Sequence, residues 1–176
     1  MTRGELINQL AGFSGPLGPL ESLEERIRRR DEWVAATESD IVGLLLEVLM
    51  HPPDVAELLP ATRGDFELEI SEVLTLLGQR DPSSFLERVG PLLVNDQARS
   101  TLIEVIGALQ RQEGIYWLRT LLDSVELTED GLIRLACALG EIKGLEARVL
   151  LERMRSSISS EMKSVHREID IALQGT

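Results

Sequence analysis

An internal repeat of about 30 residues is the feature that most constrains how this chain can fold. A shift of the sequence against itself by 30 positions places Leu102, Ile103, Ala108, Leu109, Gly114 and Leu121 on Leu132, Ile133, Ala138, Leu139, Gly144 and Leu151. A less regular upstream copy contains Leu77-Gly78, Asp81-Pro82, Phe85-Leu86 and Leu92-Leu93. A unit of this size cannot bury its apolar residues alone, so neighbouring units are expected to stack around one continuous core.

Each unit has the pattern of a helical hairpin. In the clearest copy one helix face carries Leu132, Leu135, Ala136 and Leu139, and after Gly144 a second face carries Ala147, Leu150, Leu151 and Met154. This i, i+3, i+4, i+7 spacing is typical of amphipathic helices. The pattern predicts that Gly114 and Gly144 are equivalent breaks between the two helices of a hairpin. It also predicts two pairs of equivalent buried residues: Leu109 with Leu139 on the first helices, and Leu121 with Leu151 on the second.

Local signals agree with an all-α fold. Asp81 before Pro82 predicts a capped helix start, and Thr128 before two acidic residues predicts another. The segment 66–70 alternates between apolar and acidic residues, but it leads into apolar residues at helical spacing. We therefore predict that it begins a helix and is not a strand.

The N-terminal part of the chain differs from the rest. Glycine and proline are concentrated in residues 15–19, so we predict that residues 1–20 form a flexible N-terminal segment and that residues 21–176 form the solenoid domain. A helix from about Glu21 to Ala36 is expected to cap the array. We expect its apolar side chains to point inward, namely Leu23, Ile27 and Val34. Its arginines are expected to point mostly outward, namely Arg26, Arg28, Arg29 and Arg30.

The segment 138–147, Ala-Leu-Gly-Glu-Ile-Lys-Gly-Leu-Glu-Ala, followed by Leu150-Leu151, resembles the HEAT-like repeat of the phycobilisome-lyase type. The segment 77–82 with Leu92-Leu93 is similar to a second copy. The resemblance covers about residues 70–155 and extends more weakly over 40–175. It implies an α-solenoid, an armadillo/HEAT-like superhelix of stacked antiparallel helix pairs. Such a scaffold does not by itself specify a function.

Charge argues against nucleic acid as a partner. The chain has 30 acidic and 18 basic residues, a net charge of -12, which opposes binding to a phosphate backbone. Some HEAT-like proteins bind DNA and excise bases, which requires a basic concave stripe. The most basic stretch here, Arg26 to Arg30, is flanked by acidic residues and is better interpreted as a solvated helix face.

The sequence contains no constellation typical of a catalytic or metal site. Cys137 is the one cysteine, so an intramolecular disulfide is excluded, and it lies among apolar residues typical of a structural position. His51 and His166 are far apart and have no local ligand partner. We therefore predict a protein that is not an enzyme and that needs no cofactor or metal. A lyase-like or glycosylase-like activity is the less favoured alternative.

No segment has the length and apolarity of a membrane span or a secretory signal. The longest strongly apolar run, Ile41 to Leu46, is far shorter than the roughly 20 residues that cross a bilayer. The sequence predicts a cytoplasmic protein with no membrane partner.

Two features indicate where a partner binds. Eight acidic residues but one basic residue lie between Asp40 and Thr75, and Glu67, Glu69 and Glu72 are candidates for steering a basic partner. Tyr116 and Trp117 are two of the few aromatic residues, and such residues dominate interface hot spots. We expect Trp117 to pack between repeats and Tyr116 to be more exposed.

Together these observations favour a non-enzymatic protein-interaction module, an adaptor or scaffold that binds a protein partner through a concave or acidic face. In this hypothesis the second helices of the hairpins line the concave face. The alternative is an inhibitor or immunity-type protein that neutralises a basic toxin or enzyme with its acidic region.

Overall fold

The computed structural model describes residues 1–18, 21–37, 41–58 and 61–176. These residues form eleven α-helices and one 3-10 helix, with no strand among them, which confirms the predicted all-α class. The chain divides into two compact units, Met1–Arg80 and Asp81–Thr176. Within the described ranges, no helix has both the length and the apolarity needed to cross a bilayer.

The first unit is organised around its longest helix. It contains α1 (Arg3–Ser14), α2 (Leu23–Ala36), α3 (Ile41–Met50), α4 (Val55–Leu58) and α5 (Arg63–Gly78). The other four helices all pack against α5. The segment 66–70 lies within α5, as predicted, because its buried residues continue at helical spacing through Val73, Leu74 and Leu77.

Part of the N-terminal segment that the sequence predicts to be flexible is helix α1. Thr2 and Glu5 form a capping box at its start: Thr2 Oγ1 accepts from the Glu5 amide, and Glu5 Oε2 accepts from the Thr2 amide. The helix buries Leu6, Ile7, Leu10, Ala11 and Phe13. The predicted boundary at residue 20 stays a prediction, because residues 19 and 20 lie outside the described part of the chain.

On helix α2 the burial of individual side chains differs from the prediction. Leu23 is 58% exposed and Ile27 39%, so the prediction that they point inward is wrong, whereas Val34 is buried as expected. The side chains of Arg28 and Arg29 are exposed, as predicted, whereas those of Arg26 and Arg30 are largely buried, contrary to the prediction. The reason is the neighbouring helix: α5 presents carboxylates to this side of α2, and they pair with an arginine.

The second unit contains α6 (Pro82–Val89), the 3-10 helix η1 (Gly90–Val94), α7 (Asp96–Ala108), α8 (Glu113–Ser124), α9 (Glu129–Ile142), α10 (Gly144–Ser157) and α11 (Lys163–Gly175). Helix α7 packs between η1 and α9, and α9 packs between α7 and α11. Helix α8 contacts both α6 and α10. The four leucines predicted to be buried are buried: Leu109, Leu121, Leu139 and Leu151.

Both predicted helix starts in this unit are confirmed. The Asp81 carboxylate accepts a hydrogen bond of 3.3 Å from the Ser84 amide, and Pro82 occupies the first helical position, where no amide donor is needed. Thr128 Oγ1 accepts from the Gly131 amide at 3.2 Å. These caps are set by neighbours in sequence, so local pattern suffices to find them.

The two predicted glycine breaks are not equivalent. Gly144 begins α10 with φ +86°, a backbone conformation that favours glycine. Gly114 instead lies inside α8, and the turn before that helix contains Gln110 with φ 53°. A Cβ on Gly114 would lie 2.8 Å from Ile106 Cγ2. Gly114 therefore permits close packing and does not mark the break.

Candidate functional site

The outer sides of α8 and α10 carry exposed apolar and aromatic side chains, which we call the α8–α10 surface. Its members are Tyr116, 62% exposed, Leu145, 77% exposed, and Val149, 54% exposed. Ion pairs connect the two helices: Arg119 with Glu146, at 3.5 Å, and Asp123 with Arg153. The two helices therefore present these apolar residues on adjoining parts of one unit, surrounded by charged groups.

Tyr116 and Trp117 occupy different environments, as helical geometry requires of adjacent residues. The indole of Trp117 is half-buried and lies so close to Gly90 that no Cβ would fit there. The Tyr116 ring is exposed and meets the Trp117 ring edge-on, with centroids 5.0 Å apart. Trp117 therefore anchors α8 against η1 and supports Tyr116 at the surface.

The three glutamates proposed to steer a basic partner are largely engaged within the first unit. Glu67 Oε1 accepts from Arg63 Nε at 2.9 Å, and Arg30 lies 3.7 Å from both Glu69 and Glu72. Burial raises the pKa of Glu69, while Arg30 acts in the opposite direction. These carboxylates therefore do not form a single unneutralised patch.

A cavity of about 340 Å³ lies between α1, α2 and α5 of the first unit. Its walls include Phe13, Leu23, Ile27 and Leu68, together with the buried side chains of Arg26 and Glu69. The sequence analysis missed it because it placed Arg26 and Arg30 on the outer side of α2. The visible signal was the alternation of arginines with Leu23 and Ile27 along that helix.

An open groove of about 630 Å³ lies in the second unit beside α11. Its lining includes Arg155, Lys163, His166 and Arg167, with Asp170 as the acidic member. Arg155 forms an ion pair of 3.2 Å with Asp170. The sequence signal for this groove is the stretch from Lys143 to the end of the chain, where six basic residues face five acidic ones.

The candidate chemical residues remain separate. Cys137 is half-buried, and its thiol donates to Glu168 Oε1 at 3.3 Å. His166 Nε2 lies 3.2 Å from the carbonyl oxygen of Ser159, and His51 is exposed. In the described ranges, no three His, Cys, Asp or Glu side chains cluster as metal ligands.

No family model, curated protein or solved structure matches the chain. The HEAT-like resemblance of the repeat therefore stays a prediction.

Proposed function

We propose that the chain is a non-enzymatic protein-interaction module whose second unit is a HEAT-like α-solenoid. The observation that carries this proposal is the exposed apolar and aromatic side chains of the α8–α10 surface. Exposed apolar residues on two helices that ion pairs hold side by side are candidates for a protein-binding surface. Tyrosine in particular is enriched at the residues that dominate binding energy.

Contacts at a constant sequence step support the solenoid. Arg134 pairs with Glu104, and Arg153 pairs with Asp123, each across 30 residues. The Gln112 side-chain amide donates to the carbonyl oxygens of Ile142 at 3.3 Å and Lys143 at 3.0 Å. Three separate contacts thus join positions one repeat apart. Nearest-neighbour contact between successive units is the defining property of a solenoid.

The charges favour recognition by apolar contact over electrostatic steering. Glu67 pairs with Arg63, and Glu69 and Glu72 share Arg30 with Asp31, so part of their charge is compensated within their own unit. Tyr116, Leu145 and Val149 have no such internal role, since their side chains are mostly exposed. We therefore assign partner binding to the α8–α10 surface.

Site-specific photo-crosslinking tests this assignment. A benzoylphenylalanine is introduced in place of Tyr116 or Val149, and a control copy carries it in place of Ala108, which is exposed on α7. After irradiation of cells that express the protein, we expect one shared protein adduct from the first two positions and none from the third. Salt screens interactions between charges and not apolar contacts, so the complex should also survive about 0.5 M salt.

Adducts of equal yield at all three positions would contradict the assignment, as would a complex that dissociates at high salt. A triple variant, Tyr116→Ser, Leu145→Ser and Val149→Ser, provides the second measurement. Its substitutions are all at exposed positions, so we expect an unchanged helical content together with loss of the partner.

A further inference from the structure

The open groove beside α11, which we call the α11 groove, carries positive charge in a chain whose net charge is -12. Its basic side chains include Arg155 of α10 together with Lys163 and Arg167 of α11, and Asp170 is its acidic member. Arg155 pairs with Asp170 at 3.2 Å, so these two charges compensate each other. The positive charges of Lys163 and Arg167 remain.

Lys163 and Arg167 are exposed and form no ion pair in the described part of the chain. Most arginines of the second unit do pair with a carboxylate. Glu161 and Glu168 are near in sequence but do not line the groove, and Glu168 accepts from the Cys137 thiol. The two basic side chains are therefore available to an anionic ligand.

The groove follows one face of α11. Lys163, Arg167, Ile171 and Gln174 follow one another at steps of four, four and three residues, so they form one stripe along the helix. At 1.5 Å per residue the stripe is about 17 Å long, which matches roughly five residues of an extended peptide. Its basic residues are followed by Ile171, which is 50% exposed. The stripe thus offers an apolar contact beside the charges.

We propose that the α11 groove binds an acidic peptide segment of a partner protein, with carboxylates at Lys163 and Arg167 and an aliphatic side chain at Ile171. The Ser160 hydroxyl and the Gln174 amide supply donors and acceptors for the peptide backbone. This site is separate from the α8–α10 surface and does not depend on the function proposed for that surface.

The same positive charges also attract a phosphate backbone, but two observations favour a peptide. A chain of net charge -12 repels a polyanion such as nucleic acid. Among the described residues that line the groove there is no Phe, Tyr or Trp, the side chains on which unpaired bases stack. Exposed Ile171 has a counterpart in an acidic peptide that contains an aliphatic residue, and none in a phosphate backbone.

Four probes of matched length test the charge and the class of the ligand. Three are acetylated and amidated pentapeptides with three glutamates, three glutamines or three lysines between two leucines, and the fourth is a five-nucleotide oligothymidylate. Each is titrated at pH 7 and about 50 mM salt into the full-length, nitrogen-15-labelled protein while backbone amide shifts are followed. We expect the glutamate peptide to shift the amides of Arg167 and Ile171 saturably and to bind about fivefold or more tightly than the other probes.

Matched removals of one charge locate the site. Lys163→Gln and Arg167→Gln should each weaken binding of the glutamate peptide about threefold. Arg88→Gln removes the same charge from an exposed position of α6 outside the groove and should leave the affinity unchanged. Ile171→Ser should weaken the glutamate and glutamine peptides alike, by about twofold. All four positions are exposed, so we expect the amide spectrum away from each substitution to be preserved.

Salt separates this site from the α8–α10 surface. Raising the salt concentration to about 0.5 M should weaken binding of the glutamate peptide about threefold or more, because exposed charges are screened. The partner of the α8–α10 surface is expected to remain bound under the same conditions. The two proposals can therefore fail separately.

Four results would overturn the proposal. Equal binding of the glutamate and glutamine peptides would show that charge is not recognised. Tighter binding of the oligothymidylate would assign a nucleic acid as the ligand. Equal losses from Arg167→Gln and Arg88→Gln would place the binding outside the groove. Absence of any saturable shift would show that the groove binds no acidic peptide.

Discussion

Cys137 illustrates how neighbours decide the chemistry of a single residue. Burial raises the pKa of its thiol to about 11, and the hydrogen bond to Glu168 and the charges of Glu168 and Glu141 act in the same direction. The thiolate is the reactive form of cysteine, so a raised pKa makes the residue inert at neutral pH. We therefore expect the thiol to react slowly at neutral pH despite its partial exposure.

The alkylation rate of Cys137 should reveal this raised pKa. We expect the rate with iodoacetamide to increase about tenfold per pH unit between pH 7 and 9, because the thiolate fraction rises in that proportion below the pKa. Glu168→Gln removes a nearby charge and should increase the rate at pH 8. The control is Glu152→Gln, which changes an exposed residue of α10 and should leave the alkylation rate unchanged. A plateau below pH 9 would contradict the prediction.

Among the helices, two close approaches determine how the second unit packs. A Cβ on Gly107 of α7 would lie 2.7 Å from Ala138 Cα in α9, and a Cβ on Gly140 would lie 2.9 Å from Ala172 Cβ in α11. Real Cβ atoms do not approach backbone so closely, so any larger residue forces the helices apart. Small residues thus set the spacing from α7 through α9 to α11.

Alanine substitution should have opposite effects at two helical glycines. Gly107→Ala is expected to destabilise the protein by about 1–3 kcal/mol, because the added methyl overlaps the α9 backbone. Gly12→Ala in α1 meets nothing within 4 Å and should stabilise by about 0.5–1 kcal/mol through helix propensity. Chemical denaturation measures both changes. Equal effects of the two substitutions would rule out the close approach.

At the scale of the whole molecule, α11 closes one end of the second unit. It packs on both α9 and α10 and contributes Val165, Ile169 and Ala172 to the buried core. In a solenoid each repeat is covered only by its neighbours, so the end helix has no substitute.

Truncation tests this role of α11. We expect removal of residues 160–176 to expose apolar side chains of α9 and α10 and to cause aggregation during size-exclusion chromatography. Removal of residues 175–176 alone, which leaves the buried part of α11 in place, is the control and should leave the protein monodisperse. A truncated protein that stays folded and monodisperse would argue against the solenoid.

Sequence alone determined the features that depend on neighbours along the chain. The helical class follows from apolar spacing, the start of α6 from Asp81-Pro82, and the start of α9 from Thr128. The burial of Leu109, Leu121, Leu139 and Leu151 was likewise predicted from apolar residues at helical spacing. Tyr116 and Trp117 were placed on different sides of α8 by helical geometry alone.

Only the tertiary structure decided which side chains of α2 are buried, where the turn before α8 lies, and where the cavity forms. Leu23, Arg26, Ile27 and Arg30 have the spacing of one helix face, so periodicity places them together but does not determine which of them is covered; the carboxylates of α5 pair with Arg30. Gly114 was interpreted as a break because its contact with Ile106 is not visible in sequence. The cavity of the first unit forms only after α1, α2 and α5 pack, since residues so distant in sequence are brought together by folding alone.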